Sequence, residues 1–216
     1  QVCFLLKGSI MSKTLVSLVS FVVMLVLGWS YCTAGKATPE ATRLVLKGGT
    51  TMVAALLAFY GAYTGGDRAA WLLAAGIAVC AAADVLLEKQ FLAGMACFAL
   101  GHMLYITAFL KTRPVGSTNI MVFAVLAVIA LAVAWLLRTK LSPLPAYILY
   151  GLLISAMAAL ATSQPLIAAA GAFLFLLSDL VLAFRLAGAA PGAWGHMVMI
   201  CYYLGQYLLG LSAVYR

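Results

Sequence analysis

Eight apolar runs follow one another along the chain, each close to the roughly 20 residues a helix needs to cross a bilayer, with short polar breaks between them. They predict helices at about 14–31, 42–63, 69–87, 91–110, 118–138, 143–161, 165–187 and 194–215. The pattern leaves no room for a sizeable soluble domain. The expected fold is therefore all-α: one integral membrane domain over residues 1–216, a polytopic bundle of about eight transmembrane helices, with residues 1–13 as a short segment outside the membrane. Met11-Ser-Lys-Thr ahead of the first run reads as a natural start.

Polar residues interrupt this pattern at particular places. In the fourth run Phe91, Gly94, Phe98, His102, Tyr105 and Phe109 recur at steps of three and four, so one helix face is aromatic and polar while the other is Ala, Leu, Met and Ile. Asp84 sits near the end of the third run, beyond which only Glu88, Lys89 and Gln90 form the polar break, so the two helices make a hairpin with acid and imidazole on facing elements. The second run carries Arg43, Lys47, Thr50 and Thr51 near its start. The seventh carries Ser178-Asp179 and ends at Arg185. The eighth has His196, Met199, Tyr203, Gln206 and Gly210 at helical spacing with Tyr202 alongside. The fifth and sixth suggest no chemistry: Trp135, Arg138 and Lys140 are an interfacial anchor set, and Ser142-Pro143-Leu144-Pro145 is a loop entering a helix whose first turn tolerates proline.

A faint repeat links the halves. Asp84 is followed by Val-Leu-Leu, then Leu92-Ala93-Gly94, then Gly101-His102-Met103; Asp179 is followed by Leu-Val-Leu, then Leu186-Ala187-Gly188, then Gly195-His196-Met197. A four-helix unit repeated in parallel would make Asp84 and Asp179 pseudo-symmetric partners.

Composition agrees with the pattern: 66% of residues are apolar and 8% charged, and the mean hydropathy is +1.14, too little polar surface for a soluble protein. The net charge of +8 would point to nucleic acid in a soluble chain. Here the cations fall at helix ends, so the expected partner is the anionic surface of the lipid bilayer and no nucleic acid. Lys and Arg divide evenly between the two sides, Lys7, Lys13, Arg68, Lys111, Arg113 and Arg216 against Lys36, Arg43, Lys89, Arg138, Lys140 and Arg185, so charge does not orient the bundle. The five cysteines, at 3, 32, 80, 97 and 201, include no CxxC pair and read as small apolar packers.

Taken singly, the polar residues have plain readings: Lys47 as a lysine snorkelling to the interface, the tyrosines as packing. Their depths argue otherwise. Counted at 1.5 Å per residue from the side of loops 31–42, 87–91 and 187–194, Asp84 lies about four residues in, Lys47 about five, Asp179 and Tyr202 about eight and His102 about eleven. All fall in one half of the bilayer and fit one cavity. Holding an ionisable side chain at membrane depth costs at least about 2.5 to 3.5 kcal/mol on insertion scales, which marks Asp84 and Asp179 as functional candidates.

The Asp84 to Phe109 hairpin, with Asp, then Phe and Gly, then Gly-His-x-x-Tyr, resembles the lysoplasmalogenase family of YhhN type. So does the block from Gly171 to Ser178-Asp179 followed by Tyr202-Tyr203-x-x-Gln206. The likeness covers about the second to eighth helices. It departs at Ala83, where a glycine often precedes the first aspartate, and at Gly48, where a proline is common. The resemblance implies an eight-helix membrane hydrolase that cleaves the vinyl ether of a lysophospholipid, a lysoplasmalogen, to a fatty aldehyde and a glycerophospho-ethanolamine or -choline.

An enol ether is hydrolysed by protonation at its β-carbon and attack of water on the resulting oxocarbenium ion, a problem that glycosidases also solve with two carboxyl groups. Asp84 and Asp179 would divide that work, with the more deeply set Asp179 favoured as the acid. His102, Tyr105 and Tyr202 would orient the pair or the water. Lys47, Ser178, Tyr203 and Gln206 would bind substrate, Lys47 through its phosphate. No cofactor and no metal are expected, since His102 and His196 are one histidine short of a three-histidine zinc site. No GxSxG supports serine chemistry. The alternatives are a secondary transporter or a lipid-binding membrane protein with a midplane polar site. A multi-pass protein of the bacterial inner membrane is the expected setting.

Overall fold

The computed structural model describes residues 2–35 and 37–216, with side-chain environments from Met11 onward. Lys36 and the side chains of Cys3 and Lys7 lie outside the described residues. Eight helices account for nearly all of it: α1 (Val2–Thr33), α2 (Glu40–Gly65), α3 (Arg68–Lys89), α4 (Phe91–Thr112), α5 (Ser117–Leu136), α6 (Leu144–Ala161), α7 (Leu166–Leu186) and α8 (Trp194–Val214). All eight include a stretch long and apolar enough to cross a membrane, Met11–Thr33 in the case of α1. The chain is thus a multi-pass integral membrane protein. The helix of α1 starts well before the expected residue 14; Gly8, the weakest helix former among residues 2–10, does not break it.

Helix ends are set locally. Gly66, at φ 68°, closes α2 in the left-handed conformation, and Asp67 caps α3 by accepting from the Ala69 N–H at 2.9 Å. Pro39, Pro143 and Pro165 stand just ahead of α2, α6 and α7, where a missing N–H costs no helical bond.

Helices α3 and α4 form a hairpin, as do α7 and α8, and the halves join through α2 on α8 and α4 on α6. Lipid tails give helices no hydrophobic reason to associate, so close packing of small residues has to do it. A Cβ on Gly94 would stand 2.5 Å from the Leu87 backbone, and one on Gly205 would stand 2.9 Å from the Gly171 carbonyl oxygen. The halves are not equivalent: α1 packs on α2 and α8, whereas α5 packs on α6 alone and buries only Asn119 and Ala134.

The end of the bundle carrying the α2–α3, α4–α5 and α6–α7 loops is tied by polar contacts. The Arg216 guanidinium bonds Asp67 Oδ2 at 3.0 Å and Gln164 Oε1 at 3.2 Å. Thr112 Oγ1 donates to the same Gln164 oxygen at 2.8 Å, and Asn119 Nδ2 donates to Ser163 Oγ at 2.7 Å.

Candidate active site

At the other end a cavity of about 750 Å³ runs in from the loops that precede α2, α4 and α8. Lys47, Asp84, Ser178, Asp179 and Tyr202 all line it, five of the nine expected site residues. Its remaining wall is largely apolar and includes Leu126, Ile129 and Val133 of α5 and Leu180, Leu182 and Ala183 of α7. Since α5 and α7 do not pack together, one flank of the cavity is bounded by two helices with no direct seam between them.

Asp84 is brought into this cavity by α3 and is 2% exposed. Its Oδ2 accepts two hydrogen bonds, from Thr51 Oγ1 on α2 at 2.5 Å and from Tyr202 Oη on α8 at 2.8 Å. Three helices therefore fix one carboxyl group, and each donor is a hydroxyl that the apolar surroundings leave with few other partners. Asp179, on α7, is only partly buried although it lies farther along its helix from the cavity mouth. Its Oδ2 accepts one bond, from Tyr150 Oη on α6 at 2.5 Å.

Tyr150 also stands 3.2 Å from His102 Nε2. Because its single hydroxyl proton is given to Asp179, its oxygen is left to accept, and His102 then carries its own proton on Nε2. The result is a chain from α4 through α6 to α7: imidazole, phenol, carboxyl. His102 is wholly buried, packs edge-on against Phe175 at 4.7 Å between ring centroids, and does not reach the cavity wall.

Tyr105, Gln206 and Tyr203 also sit behind the wall. Tyr105 Oη donates to Gln206 Oε1 at 2.7 Å, a fully buried pair joining α4 to α8. Tyr203 Oη donates to the Lys47 carbonyl at 3.4 Å. Ser178 lines the cavity, but its hydroxyl is spent on the Val198 carbonyl at 3.0 Å. His196 is exposed at the mouth, with Nε2 on the Cys32 carbonyl at 3.3 Å. Among the described residues no three of His, Cys, Asp and Glu converge as a metal site.

Lys47 is not a lone cation. Its ammonium bonds Glu88 Oε1 at 2.7 Å, and the same carboxylate receives the Tyr31 hydroxyl at 3.3 Å and faces Arg43 at 4.0 Å. Sequence reasoning missed Glu88 and Tyr31 in this assembly, and Tyr150 in the chain that ends at Asp179. Glu88 reads as part of a polar break, and Tyr150 lies in a helix whose sequence suggests no chemistry. The only signal for Tyr150 is one phenol in an otherwise apolar stretch, Ile148-Leu-Tyr150-Gly-Leu-Leu.

Residues 42–213 match the family described as the YhhN family. Among curated proteins, Lysoplasmalogenase TMEM86B of Homo sapiens is 35% identical over 144 residues, 64% of this chain and 62% of that protein. The chain thus matches less than two thirds of that relative's length. No solved structure matches.

Proposed function

The chain belongs to the YhhN family, and from that premise we propose that it is a lysoplasmalogenase, a hydrolase of the vinyl ether bond of lysoplasmalogens. The observation that carries the proposal is the pair of aspartates on the wall of one largely apolar cavity, of a size within the range of about 300–1,000 Å³ usual for small-ligand sites. The relative named as a lysoplasmalogenase supports the substrate class.

In this reading the substrate lies with its polar head at the cavity mouth and its alkenyl chain between α5 and α7. Asp179 delivers a proton to the β-carbon of the vinyl ether. The electron pair of the double bond forms the new C–H bond, and the positive charge passes to the α-carbon and ether oxygen. Asp84, held by Thr51 and Tyr202, faces that cation as a carboxylate and takes a proton from the water that attacks the α-carbon. The hemiacetal formed collapses to a fatty aldehyde and the glycerol hydroxyl. Tyr150 and His102 set the orientation of Asp179. Tyr105, Gln206 and Tyr203 act from behind the wall as positioning residues. The role of Ser178 is to hold α7 to α8 beside Asp179.

The test is to incubate the purified protein in deuterated water with vinyl-ether, alkyl-ether and ester lysolipids and trap any aldehyde at once for mass spectrometry. Aldehyde from the vinyl ether alone, carrying one deuterium at the carbon next to the carbonyl, is the expected result. Binding without aldehyde would favour a transporter or lipid-binding protein, and cleavage of the alkyl ether would remove the β-carbon protonation step.

A further inference from the structure

The wall that α5 gives to the cavity is held differently at its two ends. At the tied end Asn119, 2% exposed, donates from Nδ2 to the Ala159 carbonyl at 2.9 Å and to Ser163 Oγ at 2.7 Å, and its Oδ1 accepts from the Gly116 N–H at 2.8 Å. At the cavity end the contact is apolar: Leu137 and Leu141, in the turn after α5, form one small buried cluster with Ala187, just past the end of α7. Between these ends Leu126, Ala130 and Val133 line the cavity. They follow one another at steps of four and three, on the same helix face as Asn119 seven residues before them and Leu137 four residues after. Midway, α5 leans on α6 at small residues, where a Cβ on Gly151 would stand 3.5 Å from the Ala130 Cβ in ordinary van der Waals contact.

Hydrocarbon treats the two ends unlike. A lipid chain is as apolar as Leu137, Leu141 and Ala187 and can replace their contacts with one another. It cannot replace the hydrogen bonds of Asn119, whose loss would leave buried polar groups without partners. The mouth, lined by Arg43, Lys47, Glu88 and Arg185, is in turn a poor path for an alkenyl chain drawn through it end first.

We propose that α5 is a hinged gate. It pivots at Asn119, parts from α7 at the cluster of Leu137, Leu141 and Ala187, and lets the hydrocarbon chain of a lysolipid pass sideways into the cavity while the head group stays at the mouth. The inference rests on the placing of a lysolipid in the cavity above, and concerns the route in rather than the bond broken.

Pulsed electron spin resonance on the protein in bilayers, with the native cysteines replaced by alanine, reads the swing without turnover. Spin labels at Leu136 and Leu186, 66% and 44% exposed, report the cavity end, and labels at Ile120 and Leu166, 63% and 83% exposed, report the tied end. Two distance populations at the cavity end against one at the tied end are expected; one narrow distance at both ends overturns the gate. A second pair, Leu137→Cys with Ala187→Cys, bridged by a short bifunctional thiol reagent, separates route from chemistry. Bridging is expected to slow cleavage of a long-chain vinyl-ether lysolipid by about tenfold or more, as gating steps do when they limit turnover, and to leave a short-chain, water-soluble analogue unaffected; reductant reverses the loss. Unchanged long-chain turnover in the bridged protein, or an equal loss with both substrates, overturns the gate. If neither lipid is cleaved before bridging, the hydrolase reading fails by itself and the spin-label distances still decide the gate.

Discussion

Asp84 and Asp179 are the same residue type in the same cavity and are held unlike each other. Two hydroxyls on one oxygen leave Asp84 arranged to face positive charge, whereas Asp179 meets a single phenol that is itself backed by an imidazole. Asp84→Asn and Asp179→Asn keep the shape of the side chain and remove the ability to carry a proton. Each is expected to lower kcat by about 10² to 10⁴, the usual weight of general acid–base catalysis, while the variants still elute as folded protein. Near-normal turnover in either folded variant would sink the two-carboxylate scheme. Tyr150→Phe deletes one hydrogen bond to a carboxyl group that is neutral before it gives up its proton, a loss of about 0.5–1.5 kcal/mol. If Tyr150 orients Asp179 for proton delivery, the loss appears as a fall in kcat at constant KM; a change confined to KM would make it a lining residue only.

The helices themselves were legible because each depends on a local property, the length of an apolar run, and every boundary from α2 to α8 falls within two residues of expectation. The polar face of α4 was legible for the same reason: Gly94, Phe98, His102, Tyr105 and Phe109 are all buried. Partners across helices were not. Periodicity states which face of α6 turns inward but not that Tyr150 there will meet Asp179 of α7 and His102 of α4. Glu88 looks like a loop residue until α3 docks against α2 and places it on Lys47. What fixes these meetings is the close approach of helices at their small residues, and that can be tested directly. Gly205→Leu would drive a side chain into the Gly171 carbonyl and the Phe175 backbone, and overpacking of this kind costs about 1–3 kcal/mol. Gly49 sits in α2 with nothing within 4 Å of a Cβ, so Gly49→Ala should leave stability equal or slightly higher, since alanine gains about 0.5–1 kcal/mol over glycine within a helix. Thermal unfolding in detergent reads both; an equal loss in the two would mean that the α7–α8 contact contributes little.

The molecule as a whole is built with unlike ends, a tied polar face around Arg216, Asp67 and Gln164 and an open one around Arg43, Glu88 and Arg185. The parallel repeat read from the sequence accounts for the two hairpins and for the crossed packing of α2 on α8 and α4 on α6, but not for α5, which stands off the bundle on α6 alone. That detached helix has a kinetic consequence. On the proposed function, a cavity lined by both α5 and α7 and opening at one end of the bundle would draw lipid from a single leaflet. In vesicles carrying no more than one copy each, vinyl-ether lysolipid should therefore disappear in two phases. The first empties the leaflet on the cavity side at the turnover rate of the protein; the second is set by spontaneous flip-flop and quickens when a scramblase is added. A single exponential consuming both leaflets, with no response to the scramblase, would require the tied end to open during the cycle and admit lipid from the far side.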